Sequence, residues 1–322
     1  MFSVQWVRRS GMQDNRERRQ CPSCGEPIEE GWRICPVCES DLRGWVCPVC
    51  GKAVRENWKR CPYCEAVLLC SGCGKRIPAG HKGCPQCRPE GQEAILIEPV
   101  TELVFVRVPE GTFSMGDIFG DGSENEQPVH SVKLSSFYLS AHPVTQRAWG
   151  RVMDRNPSRY TGEDLPVESV SWFDAQEFLT RLQEKTSLNV TFNLPTEAQW
   201  EYAARSGGKP ERYAGGDDLD ALGWYADNCD GKPQPVGQKR SNGLGIYDMS
   251  GNVWEWCADV FHADAYGRHA AENPVETRSG EERVLRGGAF HLDAWSARTM
   301  RRFSLNPEFC GPAVGFRIVF RA

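Results

Sequence analysis

The chain has 322 residues, of which 40% are hydrophobic and 25% charged, and its formal net charge is −5. That is the composition of a soluble globular protein rather than a disordered one, and the length suits one ordinary domain plus something smaller. No stretch approaches the roughly 18 apolar residues of a membrane span, so no membrane insertion is expected, and no part shows the basic footprint of a nucleic-acid binder.

Residues 1–19 read as a flexible arm containing Arg8, Arg9, Arg16, Arg18 and Arg19, without the apolar run of a secretory signal. The expected setting is the reducing bacterial cytoplasm, where clustered cysteines bind metal rather than form disulfides. Twelve of the fifteen cysteines then follow in three copies of one pattern. Cys21 and Cys24 pair with Cys35 and Cys38 (residues 20–42), Cys47 and Cys50 with Cys61 and Cys64 (45–66), and Cys70 and Cys73 with Cys84 and Cys87 (68–88). Each pair is C-x2-C, ten residues lie between the pairs of a unit, and Gly25, Gly51 and Gly74 follow the second cysteine.

Two such turns close one tetrahedral zinc site, and the glycine permits the positive φ that folds the turn back under its sulfur. A unit of this size cannot bury an adequate core, so zinc supplies most of its folding free energy, roughly 10–16 kcal/mol in comparable peptides. Three structural zinc ions are expected. All-cysteine coordination leaves no open position for catalysis. His81 occupies the place of Trp32 and Trp58 and reads as a packing residue.

Residues 1–90 hold 15 Lys/Arg against 10 Asp/Glu, an excess that three four-thiolate sites cancel, while the remainder holds 23 against 33. The basic residues of the ribbons are scattered among glutamates. A protein partner for the ribbons is therefore favoured over nucleic acid.

Residues 89–100 read as a linker, and the large domain as residues 101–322. Thr101 to Val108 alternates like a strand, and Val129 to Leu139 contains another. Thr145 precedes a helix over Gln146–Asp154. Ser171 with Asp174, and Thr196 with Gln199, are capping boxes for helices reaching about Lys185 and Ser206. Beyond Gly215 the chain is rich in Gly, Asn, Asp and Trp with few periodic stretches, until a final strand at Gly315–Arg321.

Several segments here resemble the formylglycine-generating-enzyme family (sulfatase-modifying factor). They include Gly111-Thr112-Phe113-Ser114-Met115-Gly116, the run Leu194-Pro195-Thr196-Glu197-Ala198-Gln199-Trp200-Glu201-Tyr202, Gly251-Asn252-Val253-Trp254-Glu255-Trp256, Leu285-Arg286-Gly287-Gly288 and Gly315-Phe316-Arg317. The resemblance implies an α+β, C-type-lectin-like fold with little regular secondary structure. It also implies a calcium ion held by Asp248, Gly251, Val253 and Glu255, a donor set that suits a hard cation. The alternative is that the two carboxylates satisfy backbone amides.

The family's oxidases hold copper through two cysteines just after the Gly-Gly-aromatic segment. At those positions this chain has Leu292 and Ala297, which offer no soft ligand for copper(I). No copper is expected. The family's iron-dependent branch relies on histidines of a helical domain not found in these 322 residues, so no iron is expected either. The chain thus reads as a non-catalytic binding protein, the alternative being an oxidoreductase of this family with altered chemistry.

The expected binding face, for a protein or small-molecule ligand, comprises His291, Leu292, Asp293, Trp295, Ser296, Phe303, Ser304, Leu305, Phe309, Cys310, Gly311, Pro312 and Ala313. This region resembles the variable proteins of diversity-generating retroelements, in which adenine-directed mutation cannot produce Met, Lys, Trp, Glu or Gln. None of those five occurs at 291–293, 303–305 or 309–313. Ordinary loop drift explains that equally.

Overall fold

The computed structural model describes residues 95–321 and four two-residue strands nearer the N-terminus. The chain forms two compact units, Met1–Gln92 and Glu93–Ala322. In the first, β1 (Arg19–Gln20) pairs antiparallel with β2 (Pro27–Ile28), and β3 (Trp45–Val46) with β4 (Ala53–Val54). Each hairpin brackets one C-x2-C pair, and the register Gln20↔Pro27 recurs as Val46↔Ala53. The N-terminal arm apart from Arg19, the third ribbon and all twelve proposed zinc ligands lie outside the described residues.

The second unit begins with β5 (Ile95–Ile97), which pairs with β6 (Val104–Val108). The expected linker at 89–100 therefore ends earlier. Leu96 packs against the core, and buried Glu98 closes the following turn by accepting from the Thr101 N–H and hydroxyl, each at 2.6 Å. Side-chain closure of this kind leaves no periodic trace in a sequence. β7 (Gly111–Met115) and β8 (His130–Leu134) form a separate hairpin. The strand expected within 129–139 is two, since β9 (Phe137–Ser140) turns into the sheet with β6.

α1 (Gln146–Gly150) is shorter than expected, but its Thr145 cap is present. α2 (Trp172–Lys185) has the full Ser171/Asp174 box and buries Ala175, Phe178, Leu179 and Leu182, one face at helical spacing. Phe178 stacks on Trp149 with ring centroids 5.3 Å apart. α3 (Glu197–Ala204) also has its box, yet all eight of its residues are buried, Glu197 and Glu201 included. A helix buried all round with two carboxylates needs charged partners in the core.

Arg205, one turn on, supplies one partner for Glu201, and the others come from the C-terminal third. After the short α4 (Leu219–Leu222), β10 (Trp254–Val260) pairs antiparallel with β11 (Arg283–Arg286) and parallel with β13 (Val314–Phe316), while β12 (Arg302–Leu305) flanks β11. β14 (Val319–Phe320) crosses to β9, so the last strand is two, divided at the buried Arg317. The sheet orders are β14-β9-β6-β5 and β12-β11-β10-β13. Among the described residues no helix is long and apolar enough to cross a membrane.

Candidate ligand-binding face

The segment leaving β11 is set by two glycines. Gly287 and Gly288 have φ of +102° and +77°, and a Cβ on Gly288 would lie 2.7 Å from the Ser296 carbonyl. Only glycine permits the loop to close over itself here. From this turn the chain runs through 289–301 to β12, and it is held at both ends by buried arginines.

Arg286 donates to Glu197 at 2.9 Å and to Glu201 at 2.7 Å. Arg302 grips Glu197 with two bonds of 2.7 and 2.9 Å. Arg298 grips Glu126 likewise, at 2.9 and 3.0 Å, and Arg317 grips Glu255 at 2.6 and 2.7 Å. Each of these eight side chains is at most 1% exposed. Burial pushes the Glu197 carboxyl up, but Arg302 and Arg286 outweigh it and hold it below the usual carboxylate range. Forked guanidinium–carboxylate pairs fix orientation as well as charge. Buried ion pairs therefore anchor this segment at Arg286, Arg298 and Arg302.

The expected face residues fall into three sets. His291, Asp293, Trp295, Phe309 and Cys310 are exposed, Trp295 at 40% and Phe309 at 45%. Leu292, Ser296, Phe303, Ser304, Leu305 and Pro312 are half-buried. Phe303 stacks on Trp254 at 5.0 Å, Ser304 donates to Glu282 at 2.7 Å, and Leu292 and Leu305 pack against the main core. Gly311 and Ala313 are buried and do not belong to a face. Their carbonyls are backbone acceptors, Gly311 for Ser169 and Val314, and Ala313 for Trp254. Residues 303–305 belong to β12 rather than to a loop.

Arg298 and Arg301 lie over the Trp295 ring at 4.6 and 4.3 Å, which holds the indole in place with part of it open to solvent. This support was not legible in the sequence, whose spacing does not show that Arg298 and Arg301 converge on one ring.

At the positions of the family's copper ligands, Leu292 is half-buried and Ala297 is buried beside Leu219 and Tyr225. Cys229 donates to the Phe290 carbonyl at 2.9 Å, and burial pushes the Cys257 thiol well above its ordinary value. Cys310 is exposed. Among the described residues, no three His, Cys, Asp or Glu side chains gather as a metal site would require.

The two side chains of the expected calcium site differ. Asp248 Oδ2 accepts from the Gly237 N–H at 2.7 Å, whereas buried Oδ1 has no hydrogen-bond partner. Burial, against the pull of that N–H, pushes its carboxyl up to about 6. An unpartnered buried carboxylate oxygen is a donor suited to a calcium ion. Glu255 is largely committed, since Oε2 accepts from Arg317 and from Trp200 at 2.6 Å each, and Oε1 accepts from Arg317. One acceptor position on Oε1 remains.

Short strands joined by long irregular segments, around arginine–glutamate pairs sealed from solvent, define an α+β domain of the formylglycine-generating-enzyme type. The chain belongs to that family: residues 96–322 match the sulfatase-modifying factor enzyme 1-like domain. Residues 21–65 match a double zinc ribbon.

Among curated relatives, chaperone protein LppX of Paenibacillus barcinonensis is 33% identical over 61% of this chain and 84% of its own length. The formylglycine-generating enzyme of Streptomyces coelicolor is 32% identical over 66% of this chain and 87% of its own. Among solved structures, Treponema denticola variable protein 1 aligns with a TM-score of 0.64 and 27% identity, covering 72% of this chain and all of that one.

Proposed function

We propose that this protein is a non-catalytic binding protein that presents a ligand-recognition face at its C-terminus, diversified by a retroelement, with zinc ribbons that attach it to a protein partner. The observation that carries the reading is the contrast between tips and anchors. His291, Asp293, Trp295, Phe309 and Cys310 are exposed, on segments whose framework arginines are sealed in ion pairs. Exposed aromatics on a rigid frame are the usual source of binding energy at a recognition surface. The likeness to a variable protein supports the same reading.

An oxidase needs two thiolates where this chain has Leu292 and Ala297. In this reading calcium, at Asp248 with the Gly251 and Val253 carbonyls and Glu255, stiffens the turn before β10, and the three zinc ions are structural. A reducing, cytoplasmic setting follows from zinc thiolates.

Two experiments decide between the readings. The genomic locus is expected to hold a near-copy of the DNA encoding residues 288–317, with adenines at variable codons among 291–293, 303–305 and 309–313, beside a reverse transcriptase. A locus without it removes diversification but leaves binding. Copper-loaded protein incubated with a cysteine-containing peptide is expected to yield no aldehyde, and aldehyde formation would establish the oxidoreductase alternative.

A further inference from the structure

A cavity of about 540 Å³ opens between the 159–165 and 232–235 segments, outside the face described above. Its apolar lining is Tyr160, Leu165, Pro233 and Pro235, and its polar lining includes Arg159, Lys232 and Gln234. The volume is typical of a small-molecule site, which is usually apolar with a few placed polar groups.

Both walls are held from behind by buried polar side chains. Glu168 accepts from the Tyr160 N–H at 2.8 Å, and Gln146 donates to the Tyr160 carbonyl at 2.7 Å. Across the cavity, Asn252 accepts from the Gln234 N–H at 3.1 Å and donates to its carbonyl at 3.0 Å. Glu168 and Asn252 are 0% exposed and Gln146 is 6%. Gln234 Nε2 also donates to the Cys229 carbonyl at 2.8 Å. The cavity is thus preorganised rather than a gap between mobile loops.

The charge at its rim is of one sign. Arg159 and Lys232 are exposed and form no ion pair among the described residues, whereas the buried arginines of the core are all paired. The acids of the 159–168 segment are engaged elsewhere: Glu163 and Asp164 both hold Arg147, at 2.7 and 2.8 Å, and Glu168 holds Tyr160 and Ser169, while exposed Asp230, near Lys232, makes no ion pair with it. Residues 91–322 carry 23 Lys/Arg against 33 Asp/Glu, so two unpaired cations at one cavity run against the local balance. Arg159 also lies over the Tyr160 ring, 5.7 Å from its centroid.

We propose that this cavity binds a small organic anion: a carboxylate or phosphate held between Arg159 and Lys232, on a flat apolar body lying against Tyr160, Pro233 and Pro235. Guanidinium suits such oxyanions because its N–H groups match their geometry. The proposal stands independently of the C-terminal face, and its test separates the two.

The zinc-loaded full chain is titrated with benzoate, phenyl phosphate and neutral benzamide, followed by ligand-observed NMR. The first two distinguish carboxylate from phosphate. At least one anion is expected to bind saturably and about ten-fold more tightly than benzamide. Arg159→Gln and Lys232→Gln are each expected to weaken that anion about five-fold, and the double variant to lose the preference over benzamide. Leu165→Trp, which fills the cavity, is expected to lose all three ligands with the melting temperature retained. Trp295→Ala combined with Phe309→Ala should leave anion binding unchanged. Equal binding of benzamide and both anions, wild-type affinity in the double charge variant, or loss on changing Trp295 and Phe309 would each overturn the proposal. So would the absence of saturable binding by either anion.

Discussion

Glu197 accepts from Arg286, twice from Arg302, and from the Tyr266 hydroxyl, at a site that is 1% exposed. Glu197→Gln keeps the shape and removes the charge, leaving buried Arg302 without a counterion and Arg286 with Glu201 alone. It should cost about 3–5 kcal/mol in urea unfolding, whereas Trp295→Ala should change stability by only about 0.5 kcal/mol. Equal costs would contradict the division between anchors and tips. Asp259 lies in the same core and accepts from the Glu197 and Glu276 N–H groups at 2.7 and 2.9 Å. Burial and then the Glu197 charge push its carboxyl from 3.8 to about 7. The folded state therefore holds a proton that the unfolded state releases. This contribution is complete below pH 3.8 and is lost as pH rises through about 7. The stability advantage of wild type over Asp259→Asn should shrink by roughly 2–3 kcal/mol between about pH 5 and pH 8. A constant difference would show that Asp259 is ionised throughout. At Asp248, added calcium should raise the melting temperature at neutral pH, and Asp248→Ala should abolish the rise. No rise in wild type would remove calcium from the site.

Element boundaries follow local chemistry where that chemistry is strong. Ser171 accepts from the Asp174 N–H at 3.0 Å while Asp174 accepts from the Ser171 N–H at 2.8 Å, so α2 begins where its capping box predicts. Ser171→Ala should lower stability by about 1 kcal/mol in chemical unfolding, with the helix retained by its buried face. α3 was legible for the same reason. β10, β11 and β12 were not, since β10 is buried on both sides and shows no alternation, and the other two are four residues each. β5 was missed because exposed Ile95 and Ile97 alternate with Leu96 in a run too short to stand out from a linker. The face was half legible. The glycine pair and framework arginines located it, but tertiary packing decided that Gly311 and Ala313 face inward while Trp295 is braced outward.

At the scale of the whole chain, the two units rest on different sources of stability. Ribbons of this size are expected to depend on zinc, whereas residues 93–322 carry extensive apolar clusters. Elemental analysis should return three zinc per chain, and chelation should unfold the ribbons while the melting transition of the large domain persists. Clearly fewer zinc ions would break the repeat. The C-x2-C repeat stood out in the sequence because ligand chemistry fixes residue identity and spacing, whereas the cavity at Tyr160 was invisible, since Glu168 and Asn252 shape it from behind. The anchoring ion pairs also have a temporal consequence. Arg298 joins Glu126 across 172 positions, Arg302 joins Glu197 across 105, and Arg317 joins Glu255 across 62. None of them can close until the later arginine has emerged from the ribosome, and long-range closure of this kind is slow. The glutamates made first must therefore stay hydrated until their arginines arrive, which ties folding of the domain to synthesis of its C-terminal third.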